Sequence, residues 1–236
     1  MRIAEIFRSL QGEGLLAGTP SVFVRGSGCN LRCRWCDTPY TSWDPVGEEW
    51  PLERIVGEVL ATGCRHVVFT GGEPLLFVDS LPLVAHLRGA GLHVTVETAG
   101  TVLPDRPAPG WADLVSISPK LPSSAPSPDD HLAWSRRHEA ARRRDDVIRT
   151  LIDGTRWQLK FVVGRPADCD EALAWLRDLD AACGPLDRQR VFLMPEGVDV
   201  PTLERVGHWL EPRCRAAGVR FGPRHHIAWF GHTRGT

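Results

Sequence analysis

The feature that most restricts the fold is a rhythm. Short apolar, β-rich runs recur along the chain, with helix-like stretches between them. Six runs read as strands: 21–26 (SVFVRG), 66–72 (HVVFTGG), 93–100 (HVTVETAG), 112–120 (ADLVSISPK), 156–164 (RWQLKFVVG) and 190–197 (RVFLMPEG). The stretches 51–63, 78–91, 168–184 and 200–218 read as helices. The first of these has Pro51 near its start and Gly63 at its end, where a fixed φ and a free φ suit a helix. Buried-looking strands separated by helices predict an α/β fold with a parallel sheet. Six such units are too few to close an eight-stranded barrel. An open, partial barrel with a lateral mouth is therefore expected, its chemistry on loops at the C-terminal ends of the strands. No internal repeat is visible.

One segment breaks the rhythm. Residues 121–147 begin Pro/Ser-rich and become strongly charged. The first part is expected to be a loop, and the stretch 131–153 (HLAWSRRHEAARRRDDVIRTLID) an exposed helix. Its arginines (Arg136, Arg137, Arg142, Arg143 and Arg144) are offset by flanking acids, which favours a solvated face or an insertion over nucleic-acid contact. The formal net charge of −1 gives no general attraction for nucleic acid or membrane. No stretch approaches the roughly 20 apolar residues of a membrane span. The N-terminal MRIAEIFRSLQGEG has no run long enough for a signal peptide, so a cytoplasmic location is expected.

Three of the seven cysteines crowd into one stretch, GSGCNLRCRWCDTPYTSW (26–43). Cys64, Cys169, Cys183 and Cys214 are scattered and read as small buried hydrophobes. In a reducing compartment a tight group of thiols signals metal or redox chemistry. The spacing of Cys29, Cys33 and Cys36 leaves two metals open. Zinc would want a fourth ligand, for which Cys64 and His66 are candidates, or would keep an open position in a catalytic site. Iron–sulfur clusters normally take four thiolates. A cubane held by three keeps one iron uncommitted, and a small molecule carrying an amine and a carboxylate can chelate it.

CNLRCRWC resembles the CxxxCxxC loop of the radical S-adenosylmethionine (SAM) superfamily, and FTGGEPLL (69–76) resembles its GGEP motif. The resemblance implies a [4Fe–4S] cluster on Cys29, Cys33 and Cys36, with SAM on the open iron. Trp35, Cys36 and Asp37 would border SAM, and the backbone at Gly72 would bind its amino group. The longer string from SLQGEG to CDT, with VETAG, SISPK, QLKFVV and HHIAWFGHTRGT, is similar to the 7-carboxy-7-deazaguanine synthase family. The likeness runs nearly the whole chain, with 121–150 the least matched part. It implies one radical SAM domain over 1–236, a partial (β/α)6 TIM-like barrel. Within it lie a cluster loop (27–44), a variable insertion (about 121–150) and a C-terminal segment (about 219–236) that covers the substrate.

The implied reaction is a ring contraction of 6-carboxy-5,6,7,8-tetrahydropterin to 7-carboxy-7-deazaguanine, with loss of ammonia. In this family SAM yields a 5′-deoxyadenosyl radical that takes a hydrogen from C6 of the pterin, and SAM is regenerated. The family also needs Mg²⁺, which the resemblance assigns to Thr38. A single protein oxygen suits Mg²⁺, which keeps waters and substrate oxygens for the rest. The residues Asp37-Thr38 would otherwise read as a plain turn.

Further SAM contacts map onto Ser118, Pro119 and Lys120 after the fourth strand, and onto Met194, Pro195, Glu196 and Gly197 after the sixth. The turn Leu10, Gln11, Gly12 and Glu13 maps onto the pterin-binding turn, where an amide can both donate and accept. Arg25 maps onto a carboxylate-binding arginine, for which a bidentate pair gives strong orientation. Thr70, His226 and the terminal Thr236 complete the implied substrate shell. Glu97 and Lys160 fit either a ligand contact or an internal ion pair. His86, His131 and His208 read as surface or capping residues. The expected partners are the pterin, an electron donor such as flavodoxin and a second copy in a homodimer, with neither nucleic acid nor membrane. Two alternatives stand beside this reading: a glycyl-radical-activating enzyme, and a non-enzymatic metal-binding module.

Overall fold

The computed structural model describes residues 1–105 and 107–236. Strand β1 (Arg2–Leu10) leads the chain and pairs antiparallel with β2 (Pro20–Gly26). A two-residue strand, β3 (Glu48–Glu49), adds to its outer edge. Then follow α1 (Leu52–Ala61), β4 (His66–Gly71), α2 (Ser80–Gly89), β5 (His93–Thr98) and β6 (Leu114–Ile117). The second half holds α3 (Pro128–Ala141), α4 (Asp145–Gly154), β7 (Trp157–Val163), α5 (Pro166–Cys183), β8 (Val191–Pro195), α6 (Val200–Ala217), β9 (Arg220–Phe221) and α7 (His225–Phe230).

The nine strands among the described residues form one sheet in the order β3-β1-β2-β4-β5-β6-β7-β8-β9. Neighbours from β2 to β9 are parallel. Strands β3 and β9 lie at opposite edges, so the sheet stays open, as six βα units predict. Those six are β2 and β4 to β8. Strand β1 escapes the apolar reading because Arg2, Glu5 and Arg8 interrupt it. Strands β3 and β9 are too short to carry a pattern.

The parallel strands read as buried runs because helices cover their outer, apolar face. In β4, Val67, Val68 and Phe69 are fully buried. Helix α6 opens on the Asp199 carboxylate, which accepts from the Thr202 amide at 2.8 Å. It stops at Gly218, whose φ of +70° suits glycine.

The charged segment departs from expectation. It forms two helices, α3 and α4, and α4 is part of the core. Val147, Ile148, Leu151 and Ile152 of α4 are buried on one stripe. Only α3 carries the exposed character expected. Arg143 pairs with Asp145 and Asp178, and Arg144 with Asp146, as a solvated face would have it. Among the described residues no helix is long and apolar enough to cross a membrane. Cys64, Cys169 and Cys214 are buried, as small hydrophobes would be.

Candidate active site

Strand parity builds the site. Val24, Phe69, Val96, Val115, Leu159 and Phe161 are fully buried. The alternate residues Arg25, Thr70, Glu97, Ser116 and Lys160 line a cavity of about 730 Å³. Register places Arg25 beside Thr70 and Glu97 beside Ser116. The barrel interior here is polar rather than filled with branched apolar side chains.

Lys160 is its hub. Its Nζ donates to Glu13 at 2.9 Å and to Glu97 at 3.0 Å. Gln11 Nε2 donates to Glu97 at 3.3 Å, and Thr70 Oγ1 donates to the other Glu97 oxygen at 3.2 Å. Both readings of Glu97 and Lys160 therefore meet in one place: they pair internally, and they face the cavity. Burial alone would raise the Glu13 carboxyl, but Lys160 and Arg224 hold it well below the usual carboxylate range. Burial likewise opposes the charge on Lys160, and the two carboxylates overcome it and push its pKa up.

The cysteine loop lies against the end of β4. Gly71 has φ +126°, and a Cβ there would run into the Gly26 carbonyl. A Cβ on Gly72 would run into the Gly28 carbonyl. The two backbones instead bond directly, Gly72 N–H to Gly26 O at 3.1 Å and Glu73 N–H to Gly28 O at 2.8 Å. The glycine pair thus seats the loop that carries the thiols. Glu73, which the sequence reading passed over, is fully buried and fixes the same corner. It accepts from the Leu75 and Ala99 amides at 3.1 and 2.9 Å and from Thr98 at 2.8 Å. Burial pushes its carboxyl up.

Cys33 is buried with Leu31 and Ala99, and Cys29 and Cys36 pack on the same group. Burial pushes the Cys29 thiol up to about 11 and Cys33 up to about 12. Such thiols need a bound cation to become thiolates. Among the described residues no three His, Cys, Asp or Glu side chains stand together as ligands of one ion. A cubane, by contrast, takes each thiolate on a separate iron. The three sulfurs gathered round Leu31 and Ala99 are the donor set that a cubane with one open iron takes. Cys64 and His66 cannot serve as a fourth zinc ligand. They precede β4 or begin it, roughly 16 Å of strand away from the cysteine loop. Both His66 ring nitrogens are engaged, by Ser21 Oγ at 2.7 Å and Thr95 Oγ1 at 2.8 Å.

Trp35, Cys36, Asp37, Gly72, Ser118 and Lys120 line the same cavity as the polar network. Lys120 Nζ donates to Ser118 Oγ at 2.8 Å and stands 5.5 Å from the Trp35 ring. The Trp35 Nε1 donor is buried without a protein partner, which fits a bound polar ligand.

A radical SAM superfamily profile matches residues 23–166. The chain is 43% identical to 7-carboxy-7-deazaguanine synthase from Rhodopirellula baltica, over 99% of this chain and 88% of that protein. It is 43% identical to the synthase from Halobacterium salinarum, over 96% of this chain and 89% of that one. The crystal structure of QueE from Escherichia coli matches with a TM-score of 0.66 and 26% identity, covering 95% of this chain and 94% of that one. The chain belongs to the 7-carboxy-7-deazaguanine synthase family. It is a radical SAM lyase, and membership brings a [4Fe–4S] cluster and SAM.

Within that family frame most of the expected residues converge. Gln11, Glu13, Thr38, Glu196, Gly197, His226 and Thr236 line the cavity. Leu10, Gly12, Pro119, Met194 and Pro195 do not. Leu10 pairs with Pro20 in the antiparallel hairpin. Met194 is buried under Gly222, where an added Cβ would meet its Cγ at 2.6 Å. Gly12 serves the C-terminal segment: its carbonyl accepts from the His225 amide at 3.0 Å, and a Cβ there would collide with the His226 ring.

Arg224 is a cavity-lining residue that the sequence reading also missed. It is only 8% exposed. Its Nε donates to Glu13 at 3.2 Å, one Nη to the Gly197 carbonyl at 2.7 Å, and the other Nη to Asp37. One guanidinium thus ties the first turn, the cluster loop and the turn after β8. Burial alone would raise Asp37; Arg224 instead keeps its carboxyl lowered. His226 Nδ1 lies 4.0 Å from Glu13, and burial lowers its pKa.

The tail closes the rim. His232 Nε2 contacts the Asp37 carbonyl at 3.1 Å, and Arg234 Nε donates to Glu5 at 2.9 Å. The other Glu5 oxygen accepts Arg25 Nε at 2.8 Å and Tyr40 Oη at 2.7 Å. Arg25 is therefore held by a structural ion pair and faces the cavity at once.

Proposed function

We propose that the chain converts 6-carboxy-5,6,7,8-tetrahydropterin to 7-carboxy-7-deazaguanine with release of ammonia, and that Mg²⁺ assists. The observation that carries this reading is the meeting of Cys36, Thr38, Arg25, Glu13 and Lys160 around one cavity. When bound, the reduced cluster and SAM supply a hydrogen-abstracting radical.

The chain's own groups do the rest. Arg25 offers a cation to the substrate carboxylate, and Glu5 orients it. Glu13 is kept ionised, so it accepts hydrogen bonds from ring N–H groups rather than donating. Gln11 and Glu97 present an amide and a carboxylate to the same edge. Thr38 would hold Mg²⁺ through its hydroxyl, which Thr41 Oγ1 approaches at 3.3 Å. Asp37 is committed to Arg224, which supports the neutral oxygen rather than the carboxylate as the metal's protein ligand. Trp35, Ser118, Lys120, Glu196 and Gly197 would hold SAM.

We read residues 1–236 as a single radical SAM domain in which the segment about 219–236 covers the substrate and excludes water. A cavity lined by the chain's own residues 231–236 suits a small molecule better than a protein substrate. An electron from a flavodoxin-type donor and a homodimeric state complete the proposal. The first is tested by replacing dithionite with reduced flavodoxin, the second by sedimentation. For the reaction, anaerobically reconstituted enzyme is given dithionite, SAM, Mg²⁺ and the pterin, and the deazapurine is sought by mass. Cluster-loaded protein that cleaves SAM but leaves this pterin intact would overturn the substrate assignment.

A further inference from the structure

The stretch 121–141, which the reaction leaves without a task, meets the cysteine loop along its length. The Arg34 amide donates to Ser124 O at 2.9 Å, and Arg34 Nε donates to Ser123 O at 2.7 Å. The Arg32 guanidinium lies 4.0 Å from the centre of the Trp134 ring. Trp43 packs on His131 at 4.8 Å and donates through Nε1 to Cys33 O at 3.0 Å.

At the centre of these contacts is His138 on α3, fully buried. Its Nδ1 faces the Arg32 backbone nitrogen at 3.2 Å. An amide can only donate, so Nδ1 carries the lone pair and the proton sits on Nε2. Nε2 then donates to Ser124 Oγ at 2.8 Å, and that hydroxyl donates to Leu121 O at 2.7 Å. The preceding residue is Lys120, whose carbonyl receives Arg142 Nη1 at 3.3 Å. One imidazole therefore links the cluster loop, between Cys29 and Cys33, to the turn that carries Ser118 and Lys120 into the cavity. Burial lowers the His138 pKa to about 4, so the ring stays neutral at ordinary pH.

We propose that His138, fixed as the Nε2–H tautomer, is a positioning residue. It holds the Cys29–Cys33 arm of the cluster loop in register with the Ser118–Lys120 turn. The inference rests on the family reading of the three cysteines as cluster ligands. It predicts that the hydrogen-bonding pattern at His138 matters, not merely the volume it fills. Asparagine can supply an acceptor where Nδ1 stands; phenylalanine fills space but accepts nothing.

Two measurements on wild type, His138→Asn and His138→Phe test it. The first uses the metal-free protein: nitrogen-15 histidine spectra for the tautomer, and amide exchange at Arg32. The expected result is a bare Nδ1 in wild type. Arg32 exchange should stay slow in wild type and His138→Asn, and run at least tenfold faster in His138→Phe. The second reconstitutes each protein anaerobically with iron and sulfide and follows loss of the visible band under a chelator. His138→Phe should lose its cluster at least fivefold faster, and His138→Asn within twofold of wild type. An Nδ1–H tautomer, or unchanged Arg32 exchange in a folded His138→Phe, overturns the proposal. So does equal cluster loss in all three. If His138→Phe does not fold, Ser124→Ala takes its place in the second measurement: at least twofold faster loss supports the proposal, and a wild-type rate overturns it. If wild type takes up no cluster, the cysteine reading has failed, and the exchange data alone decide what His138 does.

Discussion

Thr38 and Arg224 show how differently single residues can be placed. Thr38 lies two residues after the last cysteine of the loop, and it lines the cavity from there. Thr38→Ala should lower kcat/KM by about a hundredfold, the loss of one charge-assisted contact made in the transition state. It should also flatten the Mg²⁺ titration; an unaltered Mg²⁺ response would remove Thr38 from the metal site. Arg224 is the opposite case. Its partners lie 187 and 211 residues away in sequence, so no local pattern marks it. Arg224→Ala leaves Glu13 and Asp37 without their shared cation, at a cost of about 2 kcal/mol once the partial exposure of Asp37 is allowed for. The two carboxyls have native pKa values below their unfolded ones. Their contribution is therefore complete above the unfolded values near 4 and lost as pH falls below them. Denaturant unfolding should show the full gap between wild type and variant at pH 7 and a narrowing gap below about pH 4. A gap constant down to pH 3 would mean that the ion pairs are not its source.

Elements were legible where one physical signal dominated. The strands β2 and β4 to β8 are rich in apolar residues because helices cover their outer face, and that run-like pattern stands out in the chain although a few polar residues face the cavity. Strand β1 carries charges because Glu5 serves the Arg25 and Arg234 pairs, so function obscures its strand character. The charged segment misled for a related reason. Its net polarity hid a short apolar stripe in α4, and α3 and α4 were read as one exposed unit. Yet Ile148 is fully buried, and a Cβ on Gly100 would meet its Cγ1 at 2.9 Å. Ile148→Ala should then destabilise by about 3 kcal/mol, as for other buried isoleucines, although it lies in the least family-like part of the chain. Thermal unfolding checks this: a shift of roughly 6–12 °C is expected for a domain of this size. A negligible shift would restore the segment to the status of a dispensable appendage.

On the scale of the whole molecule, the open sheet creates a cavity, and the chain's two ends decide how it is closed. A single carboxylate, Glu5 of β1, gathers Arg25 from β2, Tyr40 from the cysteine loop and Arg234 from the tail. Arg234 also lies 4.2 Å from the Tyr40 ring centre. The tail is thus joined to Arg25, the residue proposed to meet the substrate carboxylate, and through Tyr40 to the loop that carries the thiols. This arrangement separates two roles that a single rigid pocket would merge. The cluster loop is seated at its base by Gly71, Gly72 and Glu73, and the tail touches it at Asp37 and Tyr40, whereas the tail reaches Arg25 through the shared carboxylate of Glu5. Arg234→Ala removes a half-exposed ion pair worth about 1 kcal/mol. It should raise KM for the pterin about fivefold, with kcat little changed and the visible spectrum of the reconstituted cluster unaltered. Steady-state kinetics under anaerobic conditions, paired with that spectrum, make the comparison. A lost cluster would show that the tail supports the thiol loop itself, and an unchanged KM would show that Glu5 holds Arg25 without help from the tail.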